Sequence, residues 1–172
     1  GVKRIGNYAF DQTPFYEANH DEFFLVGDGV LIGYWGEGGN VTLPDNVKMI
    51  SSFSYNPGEE TSPAIRITGL TLPEGLEEIG DYALTACLNV GTIRFPSTLK
   101  TIGKNAFSGC VMLVDVRLPE GLERIDDNAF AFCENLSTIS YPKSVTYIGA
   151  DQFENATDAL TRIYLAPDSF AM

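Results

Sequence analysis

Apolar and polar positions along this chain recur at a fixed interval of 23 residues. Pro73, Pro96, Pro119 and Pro142 stand at that interval, as do Ile79, Ile102, Ile125 and Ile148, and Leu76, Leu99, Leu122 and Val145. Cys87, Cys110 and Cys133 form a further column. A unit this short cannot bury its own apolar face, so successive units must stack and bury their columns against one another. The pattern predicts a solenoid.

Within one unit, Leu113-x-x-Val116-x-Leu118 ends in alternation and is stopped by Pro119, since proline cannot donate to a following ladder. This segment is the predicted strand. Stacked strands make a parallel sheet, and at about 4.8 Å per coil roughly six coils give a body on the order of 30 Å long. The segment from Asn105-Ala106-Phe107 through Cys110 carries small and aromatic residues over one turn and predicts short helical turns on the opposite wall. Between Pro44 and Pro73 the interval lengthens to 29 residues, because the breaker-rich Ser54 to Pro63 replaces the regular turn, so that coil should bulge outward. Asp126 stands in the column of Gly80, Gly103 and Gly149, a column that a left-handed backbone would explain.

Near the N-terminus, Phe23-Phe24-Leu25-Val26 and Val30 to Trp35 flank Gly27-Asp28-Gly29, the pattern of a β-hairpin. A second glycine turn leads into Asn40-Val41-Thr42-Leu43-Pro44, whose Leu-Pro ending aligns with the repeat strands, so the hairpin should join the same body. Val2 to Gly6 matches the middle of a repeat, as in Val145 to Gly149. A chain that opens inside a repeat is expected to be part of a longer protein whose export signal lies upstream.

The period recurs as a recognisable motif: Leu-Pro-Glu-Gly-Leu-Glu-x-Ile, then Asn-Ala-Phe, Cys110 or Cys133, and Leu-x-x-Ile. This strongly resembles the BspA-type (Treponema-type) bacterial leucine-rich repeats, continuously over residues 64–165 and partially over residues 1–10. The hairpin resembles an insertion found among gut-bacterial members. Gln152 and Ala156 depart from the Ala and Cys columns, consistent with a decaying terminal coil. The resemblance implies an α/β repeat fold, a right-handed leucine-rich-repeat solenoid with parallel strands on one face and short helical turns opposite. It implies one domain over residues 1–172: a hairpin insertion at 11–39, regular repeats at 40–165 and a terminal coil at 166–172. It further implies a cell-surface or secreted bacterial protein that binds host or bacterial proteins.

Charge narrows the partners. Eleven Lys and Arg against 23 Asp and Glu leave −12, so nucleic acid and anionic lipid would be repelled at long range. No apolar stretch reaches the roughly 20 residues that span a bilayer, so direct membrane insertion is not expected. A monomer is.

Several residues invite chemistry. The three cysteines share a wall column with Ala156 and read as small buried hydrophobes, and with one histidine, His20, a four-ligand zinc site is not expected. A hydrolytic triad would rest on His20, the sole imidazole, beside Asp21 and Glu22, and is not expected. Glu59-Glu60, Glu77-Glu78 and Asp126-Asp127 fall in turns or outward positions and read as solvated faces, and no calcium-loop motif is present. Neither enzyme activity nor a cofactor or metal is expected.

The outward strand positions are more informative, since the core does not dictate their side chains. Aligned strands place Thr71, Arg94, Arg117, Ser140 and Tyr164 in one column and Gly69, Thr92, Asp115, Thr138 and Arg162 in the other. Arg94, Arg117 and Arg162 with Tyr164 make a basic and aromatic strip beside Asp115; Arg and Tyr are favoured at interface hot spots. In the insertion, Phe15, Tyr16, Tyr34 and Trp35 concentrate aromatic area. They can cap the open end of the solenoid, or offer Trp35 and Tyr34 for stacking on a sugar. The expected function is a non-enzymatic protein-binding module; a structural spacer and a carbohydrate-recognising module are the alternatives.

Overall fold

A computed structural model describes residues 1–6, 8–19, 21–53, 63–85, 87–156 and 159–166. The predicted strand column forms one parallel ladder, called here the first ladder: β3 (Gly39–Thr42), β5 (Ile67–Thr71), β7 (Ile93–Arg94), β9 (Asp115–Arg117), β11 (Thr138–Tyr141) and β13 (Arg162–Leu165). Its two three-stranded parts, β3-β5-β7 and β9-β11-β13, meet at a parallel bridge between Thr92 and Asp115. Pairing is in register, so Val41, Leu70 and Ile93 stack inward in one part, and Val116, Ile139 and Ile163 in the other. All are buried except Ile163. Each proline then closes the turn: Leu76, Leu99, Leu122 and Val145 donate their N–H to the carbonyls of Pro73, Pro96, Pro119 and Pro142 at 3.1–3.3 Å.

A second ladder follows each turn. It contains β2 (Val30–Tyr34), β4 (Met49–Ile50), β6 (Glu78–Ile79), β8 (Thr101–Ile102), β10 (Arg124–Ile125) and β12 (Tyr147–Ile148), all parallel. β1 (Phe23–Val26) pairs antiparallel with β2 and closes one edge, making seven strands. Leu31, Ile50, Ile79, Ile102 and Ile125 form its inward column, each fully buried. The hairpin therefore joins the same body, as expected, with Gly27 and Gly29 at φ 60° and 79° in its turn.

The third wall differs from the predicted helical turns: it is built of turns in which backbone groups are shared between coils. The amides of Tyr82, Leu84, Asn105, Phe107, Asn128 and Phe130 donate to the next coil at 2.8–3.2 Å, while those of Ala106, Ser108 and Ala131 bond within their own coil. A helix would turn every amide onto its own coil. Two left-handed residues per coil, four apart, make this possible: Tyr8 and Gln12, Asn105 and Gly109, Asn128 and Phe132, Asp151 and Asn155. Asn, Asp and Gly tolerate that region; an aromatic does so poorly. Phe132, at φ 58° and exposed, stands where other coils have Gly109 and Asn155. Phe132→Asn is expected to raise stability by about 0.5 kcal/mol and the thermal midpoint by one or two degrees, which thermal melts followed by circular dichroism would check.

The glycine column also needs a different explanation. Gly80, Gly103 and Gly149 are not left-handed; the left-handed residues lie two positions later, at Tyr82, Asn105 and Asp151. The glycines are required by close approach. A Cβ on Gly103 would lie 2.6 Å from the amide nitrogen and Oδ1 of Asp81, and one on Gly149 would lie 2.4 Å from the same atoms of Asp127. Those carboxylates accept from the amides of Lys104 and Ala150 at 2.8 Å. Asp126 carries a side chain in this column, and nothing in the structure explains that substitution.

One buried cluster runs from Leu31 to Ala156 through the solenoid. A smaller one, Phe24, Val30, Ile32 and Met49, lies on the outer face of the hairpin and is covered by Ile5, Phe10, Tyr16 and Trp35. The expected bulge at Ser54 to Pro63 lies outside the described residues over 54–62, as does His20.

Candidate binding face

Strand register decides which side chains share the outward face of the first ladder. Thr71 pairs with Arg94, Arg117 with Ser140, and Ser140 with Tyr164; Asp115 pairs with Thr138, and Thr138 with Arg162. The Thr92 to Asp115 bridge carries both columns across the junction. Arg94, Arg117, Arg162 and Tyr164 are exposed, Tyr164 to 53%. Arg117 Nε donates to Asp115 Oδ2 at 2.9 Å along the same strand, with the guanidinium side chain 83% exposed. Arg94 and Arg162 enter no ion pair among the described residues. Met112 and Val114, exposed just before β9, add apolar area that the sequence reading did not single out. Their columns hold Asn89 and Asn135, and Gly91 and Ser137, so only comparison between coils marks them.

The outward face of the second ladder is a different surface, with its cations already engaged. Arg124 lies 4.0 Å over the Tyr147 ring and pairs with Asp126, whose hydrogen bond is the first cause of a raised guanidinium pKa. Arg4 reaches Glu78 Oε1 at 2.8 Å. Burial pushes the Glu78 carboxyl above its ordinary value, and Arg4 offsets this only in part. Sequence reasoning missed this face because it missed the ladder.

Aromatic residues of the insertion serve the interior. Tyr34 is 2% exposed, stacks on Phe53 at 5.0 Å, and accepts from the Gly38 amide through its hydroxyl. It is a core residue, which corrects its reading as a contact residue. Trp35 is half-buried over Gly33, where a Cβ would meet its ring at 2.2 Å, and packs against Tyr16 and Phe24 at 5.0 and 6.1 Å. Tyr16 is itself buried enough to push its hydroxyl pKa up to about 12, with Asp11 adding to the shift. The Tyr16 and Trp35 rings cover the small second cluster.

The cysteine column is buried. Cys110 and Cys133 donate their thiols to the carbonyls of Leu84 and Phe107 at 3.4 and 3.3 Å. Burial pushes Cys87 and Cys133 from 9.0 to about 12, and Cys110 well up, its neighbouring thiols adding to the effect. A thiol that binds its proton more tightly folded than unfolded contributes stability fully present below its unfolded pKa and lost as pH rises through its folded one. Between about pH 9 and 12 the chain is therefore expected to lose stability more steeply than a Cys87→Ala/Cys110→Ala/Cys133→Ala variant. Urea midpoints at pH 8 and 10.5 check this; equal slopes would refute it. Among the described residues, no group of three or more His, Cys, Asp or Glu is placed to hold a metal ion. Nor is any helix among them long and apolar enough to cross a membrane.

Two parallel ladders and a wall of turns, wound around one core at a 23-residue period, define a leucine-rich-repeat solenoid. A family model described as the BspA type leucine rich repeat region matches residues 59–170 in six copies, and the chain belongs to that family. A leucine rich cell surface protein from Faecalibacterium prausnitzii is 29% identical with a TM-score of 0.66, over 81% of this chain and 36% of that one. The T. pallidum leucine rich repeat protein is 25% identical with a TM-score of 0.68, over 84% and 79%. The pneumococcal vaccine antigen PcpA, 21% identical, shares the fold with a TM-score of 0.65 over 87% and 38%. This chain thus spans about a third of the F. prausnitzii protein. No curated protein matches the sequence.

Proposed function

We propose that this chain is a non-enzymatic protein-binding module of a bacterial cell-surface or secreted protein, and that it holds its partner on the outward face of the first ladder. One observation carries the reading: charge is segregated. The chain has 11 cations and 23 acids. The two outward columns from Thr71 and Gly69 to Tyr164 and Arg162 nevertheless hold Arg94, Arg117 and Arg162 against Asp115 alone. The other positions carry hydroxyls, a glycine and Tyr164. Solubility does not demand such a face, and exposed Arg beside Tyr suits an interface centre. The likeness to a cell surface protein supports an extracellular place of action.

The test is capture of extracellular-matrix and mucosal proteins by the immobilised chain, beside an Arg94→Ala/Arg117→Ala/Tyr164→Ala variant. Binding is expected to weaken at least tenfold in the variant, with an unchanged melting temperature because all three side chains are exposed. Equal binding by both, or no captured protein, would overturn the reading; the latter favours a spacer.

A further inference from the structure

We propose that the open edge of β3 captures an extended, basic segment of a partner polypeptide by adding it as a further strand. The insertion treats the two ladders unequally. It closes the second ladder with antiparallel β1, yet β3 pairs only with β5 and leaves its other edge open among the described residues.

The backbone of that edge is set for pairing. The Leu43 amide donates to the Thr71 carbonyl at 3.1 Å, so by alternation Val41 and Leu43 face β5, while Asn40 and Thr42 direct their N–H and C=O groups to the open side. Beside it lies a concavity of about 630 Å³ lined by Glu22, Phe23, Tyr34, Glu37, Val41 and Thr42. Half-buried Phe23 presents an apolar floor, with Tyr34 and Val41 buried beneath it. Glu22 and Glu37 are exposed on its rim, and neither meets a cation among the described residues.

An added strand places alternate side chains on opposite faces, so one set would rest on the floor while main-chain hydrogen bonds supply affinity. The ligand this fits alternates aliphatic and cationic residues. The chain's charge of −12 adds long-range attraction for it, the reverse of what the arginine face selects.

The probe is a fluorescent Lys-Val-Lys-Val-Lys peptide amide titrated into the whole chain at about 0.15 M salt. Saturable binding is expected, weakened at least tenfold by Glu22→Lys/Glu37→Lys and unaffected by Arg94→Ala/Arg117→Ala. N-methylation of one alternate set of peptide amides should abolish it, and of the other set should not, since a strand directs only alternate amides to a given neighbour. Absence of saturable binding overturns the proposal. So does equal binding of both methylated peptides, which would leave charge alone as the attraction. Concentration-dependent growth in mass of the unliganded chain also overturns it, by assigning the edge to a second copy.

Discussion

Phe107→Ala is expected to destabilise the chain by about 3–5 kcal/mol, the range for emptying a buried aromatic site, and to lower its thermal midpoint by roughly 10 °C. Phe107 is fully buried. Its ring stacks on Phe130 of the next coil at 5.3 Å and 2°, and takes the edge of Phe95 at 5.6 Å and 86°. The cavity left by alanine cannot close readily, because both coils are held at fixed spacing by two strand ladders and by the bond from the Phe107 amide to the Ala129 carbonyl. A solenoid couples each coil only to its neighbours. The loss should therefore weaken the junction between coils as well as the whole, broadening the unfolding transition measured by calorimetry. Phe153, in the same column but half-buried, should cost less when truncated. A Phe107→Ala chain that melts within a degree or two of the original would show that the stacked column does not hold the coils together.

The first ladder was legible because three physical signals coincide on it: alternation, a proline stop and a constant period. The same period placed Thr71, Arg94, Arg117 and Ser140 in one column, since parallel in-register pairing turns sequence spacing into spatial adjacency, and Tyr164 joins it across a last interval one residue longer. The second ladder left no such trace. Its repeat strands, such as Glu78–Ile79 and Thr101–Ile102, are two residues long and show only one isoleucine per coil, too few to alternate. The turn wall was misread for a related reason: small and aromatic residues spaced over one turn suit a helix as well as this wall. The signal that separates them is the pair of positions, four apart, that favour Asn, Asp or Gly, as at Asn105 and Gly109. Tyr34 and Trp35 were legible as aromatic mass but not as core, because burial depends on which face of the hairpin each ring takes.

Two surfaces of opposite character emerge from one repeat. On the arginine face Arg94 and Arg162 enter no ion pair among the described residues, whereas the cations of the second ladder's face are taken up by Asp126, Tyr147 and Glu78. The contrast supports the proposal that the first serves recognition, and marks the second as cohesive. Tying Val2 to the hairpin by the Asp28 amide bond at 2.8 Å, and Arg4 to β6, holds the N-terminal segment against the second ladder.

Gly103→Val tests the stacking geometry most directly, and is expected to cost about 3 kcal/mol or more, as forced overpacking against backbone does. The added Cβ would sit 2.6 Å from the Asp81 amide nitrogen and from the Gly80 carbonyl carbon, neither of which can rotate away as a flexible side chain could. Relief requires the coils to part, and that would stretch the bonds from the Gly103 amide to the Ile79 carbonyl and from the Lys104 amide to Asp81 Oδ1, both 2.8 Å. The thermal midpoint should fall by roughly 6–12 °C. Both a left-handed requirement and close approach make valine worse than alanine, through the β-branch in one case and the added methyls in the other, so a second substitution separates them. Asp81→Ala in the Gly103→Ala background should then recover part of the loss by removing Oδ1, the other atom at 2.6 Å. No recovery would return the column to a conformational cause.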